Sequence, residues 1–167
     1  MNWRCRILPA AISTMLGSCG GSSTDSYTSP TQVVRETLTG TISAATSPTC
    51  SRAFQLSVDA SYYQGGLQRC VEFPYTSTTA GLISGRLTWQ DRRIDLDLVL
   101  NDSLGTNYRQ SIAANRAGEA VDFFVNAGTR YIFIIYLRGV DPVFLANGGQ
   151  FTGEVSTMFT LAIERPK

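Results

Sequence analysis

The sequence predicts an all-β fold, a β-sandwich or small barrel of about eight or nine strands. From Thr31 onward, short runs rich in β-branched and aromatic residues show a two-residue alternation of apolar and polar side chains. Gly, Pro, Asn, Asp and Ser separate these runs, and no long stretch has helical periodicity. The charged fraction is only 16% of 167 residues, below the usual fraction of about 25%. Ser, Thr and Gly make up the difference, as is common in extracellular β-proteins.

The first three predicted strands cover residues 33–43, 53–58 and 69–76. In each strand, apolar side chains recur on one face because successive residues of a strand point to opposite sides. These side chains are, in order, Leu38 and Ile42, then Phe54, Leu56 and Val58, then Val71, Phe73 and Tyr75.

The next two strands are predicted at 80–89 and 94–100, joined by a turn at 90–93. Leu87 and Trp89 lie on one face of the first strand. In the second strand, Asp95 and Asp97 point away from the apolar row, which consists of Ile94, Leu96, Leu98 and Leu100. A turn is expected at 101–105.

The remaining predicted strands are 108–112, 118–125, 130–138 and 155–164. Residues 130–138 are apolar at almost every position, which is typical of a central strand covered on both faces. The last strand directs Phe159, Leu161 and Ile163 inward. Helix is expected nowhere beyond a single turn at 112–118.

The amino-terminal residues have the pattern of an export signal. Residues 1–6 are basic without acids, residues 7–16 are apolar, and small residues follow. The apolar stretch is too short to span a bilayer of about 30 Å, and Pro9 interrupts it. Leu16-Gly17-Ser18-Cys19 resembles the lipobox of bacterial lipoproteins.

The lipobox resemblance implies cleavage after Ser18 and acylation of Cys19 with diacylglycerol and a fatty acid such as palmitate. Several acyl chains anchor a protein stably to a bilayer, whereas one does not. We therefore expect a signal peptide at 1–18, a flexible Gly/Ser-rich tether at 19–31 and one domain at 32–167. The protein would face the periplasm or cell surface, and Gly20 after the cysteine is typical of outer-membrane sorting in Gram-negative bacteria. An ordinary cleaved signal is the alternative.

The cysteines, the net charge and the lack of histidine exclude several classes of function. In an exported chain, Cys50 and Cys70 form an even pair and are expected to make a disulfide. Lys plus Arg is 14 and Asp plus Glu is 13, so no basic field suits nucleic acid. There is no histidine, which removes the commonest general base and the Ser-His-Asp and Cys-His arrangements. We expect a protein that is not an enzyme.

An ordered series of motifs resembles the bacterial pre-peptidase C-terminal domain. The series is Ala80-Gly81-Leu82, Leu87-Thr88-Trp89, Asp95-Leu96-Asp97-Leu98, Ser111, Glu119, residues 127–134 and residues 159–163. The resemblance implies a jelly-roll-like β-sandwich and a non-catalytic module, since such domains accompany secreted peptidases and have collagen-binding relatives. We expect no attached catalytic domain here, and the disulfide and the loop that contains Tyr62 and Tyr63 depart from the pattern.

Four acids within twelve residues, Asp91, Asp95, Asp97 and Asp102, could supply oxygen ligands to Ca²⁺. The structural alternative is that Asp95 and Asp97 hydrogen-bond to backbone amides and pair with Arg86, Arg92, Arg93 or Arg130. A small hydrolase that uses these carboxylates is a remoter alternative and would require opposed pKa shifts.

Tyr62 and Tyr63, beside a Gly-Gly turn, are the residues that we expect to contact a ligand. Trp89 and Tyr136 are expected in the core. The sequence thus predicts a membrane-anchored binding or structural module whose partner is an envelope protein or a glycan. A calcium-dependent adhesive domain is the second hypothesis, and no other cofactor is expected.

Overall fold

Eight strands and one short helix make up the residues that the computed structural model describes, namely 32–50, 68–102, 108–112 and 118–167. The elements are β1 (Val33–Ser43), β2 (Arg69–Thr76), β3 (Gly81–Trp89), β4 (Ile94–Asp102), β5 (Tyr108–Ser111), β6 (Gly118–Val125), β7 (Arg130–Val140), α1 (Pro142–Ala146) and β8 (Ser156–Pro166). The predicted strand at 53–58 and most of the predicted turn of helix at 112–118 lie outside the described residues.

The strands form two antiparallel four-stranded sheets. The front sheet has the order β1-β8-β3-β6, and the back sheet has the order β2-β7-β4-β5. Consecutive strands mostly alternate between the two sheets, which is the strand order of a jelly roll. The predicted jelly-roll-like β-sandwich is confirmed.

The core lies between the sheets and follows from the two-residue alternation. Strand β3 directs Ile83, Leu87 and Trp89 inward, and β4 directs its even-numbered residues to the same core. Gly85 lies against the ring of Phe133 in the back sheet, since a Cβ atom there would lie 2.6 Å from that ring. A larger residue at the centre of β3 would therefore have to displace the buried ring.

The back sheet is buried on its second face as well. Strands β4 and β7 are buried at nearly every residue, as predicted for 130–138. A second cluster of buried residues lies on this outer face and includes Val99, Ile134 and Tyr136. The disulfide between Cys50 and Cys70, also predicted, lies in the same cluster.

Two local predictions are wrong. The turn expected at 101–105 is wrong for its first two residues, because Asn101 and Asp102 continue β4 and pair with Ile132 and Tyr131. The helix at Pro142–Ala146 was not predicted. It begins because the side chain of Asp141 accepts hydrogen bonds from the amides of the first turn, at 2.6 and 3.1 Å, and a proline at the first helical position suits a helix start.

Candidate functional site

A cleft of about 240 Å³ opens between the two sheets on the side where β1 and β2 form the edges. Its walls come from β1 and β2, and its floor comes from β7 and β8. The lining residues are Glu36, Leu38, Phe73, Pro74, Tyr75, Phe133, Ile163 and Arg165.

The cleft exists because two edge strands leave part of the core uncovered. Leu38, Phe73 and Tyr75 point inward but stay only partly buried, whereas Phe133 and Ile163 beneath them are buried. The ring of Phe159 packs on β1 beside the cleft. It meets the ring of Phe73 edge-on, with 6.2 Å between the two ring centroids. The cleft is thus an apolar, partly aromatic opening into the core.

Charged groups at the cleft are held in place by one another. Arg165 Nε donates to Glu36 Oε1 at 3.0 Å, and the Arg165 guanidinium lies 4.6 Å from the centre of the Tyr75 ring. The Tyr75 hydroxyl donates to the carbonyl of Pro166 at 3.1 Å. Because each group is fixed by another, the site presents an oriented ion pair beside an aromatic ring.

This combination suits binding. Ligand sites are concave and mostly apolar, with a few oriented polar groups that determine specificity. The volume fits a sugar ring or one apolar side chain packed on Phe73 and Tyr75. None of the lining residues was a sequence candidate, because they come from four strands far apart in the chain.

The predicted calcium ligands do not come together as one group of four. Asp91 lies in the turn between β3 and β4, where Arg93 Nη2 donates to its Oδ2 at 2.7 Å and the Arg93 backbone amide donates to its Oδ1 at 3.0 Å. Arg93 accordingly lowers the pKa of Asp91. Asp102 is buried at the other end of β4. Among the described residues, no three of Cys, Asp and Glu lie close enough to share a metal ion.

Asp95 and Asp97 share the outer face of the back sheet, as the alternation predicts, but they are buried there. Asp97 is 0% exposed, and neither of its carboxylate oxygens has a hydrogen-bond partner in the described part of the chain. The predicted pairing with Arg86 or Arg93 is wrong, because Arg86 pairs with Asp122 and Arg93 with Asp91.

Arg138 is the cation whose charge acts on both carboxylates. The pairing of β4 with β7 shifts by one residue between Asp95 and Leu96, which leaves Arg138 as the extra residue of a bulge. Gly139, with φ of +135°, accommodates the distortion. The charge of Arg138 favours both carboxylates in their ionised form, yet burial outweighs it.

Burial therefore raises the pKa of both acids. It raises the pKa of Asp95 to about 6, helped by the like charge of Asp141. It raises the pKa of Asp97 to about 8, helped by Asp95 and Glu119. A buried carboxyl without hydrogen-bond donors is more stable when protonated. Burial therefore favours the protonated, neutral form of Asp97.

Ser111 and Glu119, two residues of the motif series, meet across the sandwich. The Ser111 hydroxyl donates to the Glu119 carboxylate, and it accepts from the backbone amide of Ala120 at 3.3 Å. Strand β5 of the back sheet is thereby tied to β6 of the front sheet. The contact gives these two sequence candidates a structural role.

The other sequence candidates divide into two groups. Trp89 and Tyr136 are buried as predicted, and Trp89 Nε1 donates to the carbonyl of Ile94 at 2.7 Å. Cys19, Tyr62 and Tyr63 lie outside the described residues. Within the described ranges, no helix has the length and apolar character needed to cross a membrane.

Comparison with known proteins finds similarity in fold alone. No protein-family model and no curated protein matches the chain. Similar solved structures include the pre-peptidase C-terminal domain of a collagenase from Bacillus anthracis, with 14% identity and a TM-score of 0.44, covering 78% of this chain and 89% of that one. The Yersinia pseudotuberculosis-derived mitogen has 14% identity and a TM-score of 0.44, covering 78% and 84%. A family 35 carbohydrate-binding module from Clostridium thermocellum has 14% identity and a TM-score of 0.33, covering 59% and 71%.

Proposed function

We propose that the chain is a bacterial lipoprotein of the cell envelope whose β-sandwich is a non-catalytic binding module of the pre-peptidase C-terminal type. Cys19 carries the lipid, residues 19–31 form the tether, and the domain contacts an envelope protein or a glycan. In a Gram-negative cell the anchor would lie in the outer membrane, with the domain facing the periplasm or cell surface.

Anchoring is supported by the basic start, the apolar stretch and the Leu16-Gly17-Ser18-Cys19 motif. The disulfide is consistent with export, since disulfides persist outside the reducing cytosol. The lack of histidine in the sequence argues against most hydrolytic mechanisms.

Binding is carried by one observation, the cleft between β1 and β2. It combines an uncovered aromatic wall, Phe73 and Tyr75, with the fixed pair of Glu36 and Arg165. An aromatic face stacks on a sugar ring or on an apolar side chain, and the ion pair provides a donor and an acceptor for polar groups beside it.

We expect Tyr75→Ala to weaken binding of an envelope glycan fragment or peptide roughly tenfold, because one stacking surface is lost. Tyr75→Phe should retain most of the affinity, since the ring remains. Phe124→Ala is the matched control, because Phe124 is an aromatic residue 61% exposed on the outer face of the front sheet. Chemical-shift titration of the full chain with each probe measures the affinities.

The proposal for the cleft fails if the best probe binds Tyr75→Ala and the unmodified chain equally while its shift changes cluster elsewhere. An identical loss with Phe124→Ala would contradict it too, since that residue lies away from the cleft.

A second candidate function is calcium-dependent adhesion, favoured by three carboxylate oxygens without a hydrogen-bond partner among the described residues, Asp95 Oδ2 and both oxygens of Asp97. These two carboxylates would have to be completed by further oxygen ligands, because Ca²⁺ takes six to eight. Thermal melts with and without millimolar calcium decide it. A cation that binds only the folded chain raises the melting temperature, and an unchanged melt discards this candidate.

A further inference from the structure

Three of the four edge strands of the sandwich are protected against pairing with another strand. Strand β2 contains Pro74, which has no amide hydrogen to donate. Strand β5 has only four residues. Strand β6 is tied to β5 through the amide of Ala120 and the hydroxyl of Ser111. These are devices by which proteins prevent unwanted association at sheet edges.

Within the part of the chain that the structure describes, strand β1 has none of these three features. Its eleven residues contain no proline and no lysine, and its pairing with β8 runs from Val33 to Ser43 without a shift of register. Within the described residues, β8 is the only strand that pairs with it. A long, regular edge of this kind is a template for another strand.

One backbone hydrogen bond at each end of β1 shows which of its residues bond to β8. The carbonyl of Gln32 accepts from the Lys167 amide at 2.9 Å, and the amide of Ala44 donates to Val155 at 2.9 Å. Even-numbered residues therefore face β8, because the direction alternates along a strand. The odd-numbered residues point their amides and carbonyls away from β8. Thr37 and Thr39 are the two at the centre of the strand.

We infer that this edge pairs antiparallel with β1 of a second copy of the chain, with Leu38 opposite Leu38. This register uses the whole strand and places Val34 opposite Ile42 and Thr37 opposite Thr39. Apolar and threonine pairs of this kind stabilise a sheet. Each strand then contributes the same surface, as a two-fold contact requires.

The charges on β1 favour the same register. Arg35 falls opposite Thr41, and Glu36 falls opposite Gly40, so no like charges oppose each other. Moving the register by two residues in either direction places Glu36 opposite Leu38 or Ile42 and loses an apolar pair. The inferred pairing joins two front sheets into one. It goes beyond the proposed function and needs no ligand in the cleft.

The test is sedimentation equilibrium of the full chain carrying Cys19→Ser, so that no lipid contributes, up to submillimolar concentration. We expect a monomer–dimer equilibrium. In Thr37→Lys/Thr39→Lys, lysines oppose each other twice, and the dimer should weaken roughly tenfold or more. In Thr37→Lys/Thr39→Asp, each lysine opposes an aspartate, and dimerisation should return. Both positions are exposed, so the monomer should stay folded.

Thr39→Pro provides a second route to the same result. It removes an amide that points away from β8, so it should block the edge and leave a folded monomer, verified by circular dichroism. A chain that is monomeric at every concentration overturns the inference and leaves the edge to a strand of another protein. If Thr37→Lys/Thr39→Lys dimerises as tightly as the unmodified chain, the inference is overturned. If Thr37→Lys/Thr39→Asp remains a monomer, the inferred register is overturned.

Discussion

Asp97→Asn is expected to stabilise the chain at pH 8 and to remove much of its pH dependence. In the folded chain the pKa of Asp97 is raised to about 8 from an ordinary value of 3.8. At any pH between these two pKa values, the folded chain holds a proton on Asp97 that the unfolded chain has released. The free energy of unfolding therefore falls as pH rises, by about 1.4 kcal/mol per pH unit for this proton.

Asparagine has nearly the same shape and never ionises, so the variant avoids this loss. We expect similar stability of the two chains near pH 4 and a difference that grows with pH by about 1.4 kcal/mol per unit, reaching on the order of 5 kcal/mol near pH 8. Asp95 has a pKa of about 6 in the folded chain. Its ionisation therefore lowers the free energy of unfolding of both chains at pH values below those where Asp97 ionises. Denaturant unfolding at several pH values measures the curves.

Asp122→Asn is the matched control. Asp122 is half exposed and pairs with Arg86, and a hydrogen bond from Ser84 lowers its pKa. Its replacement should not stabilise the chain at any pH. An Asp97→Asn chain that is less stable than the unmodified chain at pH 8 would show that Asp97 is needed as a carboxylate, as in the calcium-dependent alternative.

Removing the disulfide is expected to destabilise the chain by roughly 3 kcal/mol. Cys50 and Cys70 are 20 residues apart in sequence, and closing such a loop restricts the unfolded chain more than the folded one. Both sulfurs lie in the apolar cluster on the back sheet, so Cys50→Ala/Cys70→Ala leaves the site apolar. The free energy of unfolding in denaturant is the measurement.

Reducing agent provides the control for this effect. It should lower the unfolding midpoint of the unmodified chain and leave that of Cys50→Ala/Cys70→Ala unchanged. Equal stability of the oxidised chain and the double variant would show that the bond does not stabilise the fold.

Most of the strands could be predicted because alternation and turn residues are local signals. The bounds of β1, β2 and β6 agree with the prediction, since each combines a two-residue rhythm with flanking turn residues. Helix α1 was missed although Asp141-Pro142 is a helix-start signal, because five residues are too few for a helical periodicity.

The sites were harder to predict than the strands. Alternation correctly placed Asp95 and Asp97 on the face opposite the apolar row, but it cannot tell whether that face is covered. Their burial, and the position of Arg138 at a bulge, depend on the pairing of β4 with β7. The cleft is a tertiary feature too, since Tyr75 and Arg165 meet only when β2 and β8 are brought together.

Metabolic labelling with palmitate tests the central claim, attachment of this domain to a membrane through Cys19, most directly. The unmodified chain and Cys5→Ser should both incorporate label, because Cys5 lies in the predicted signal peptide. Cys19→Ser should incorporate none and should leave the membrane fraction. An unmodified chain without label, or one that keeps its label when Cys19 is replaced, would contradict the account.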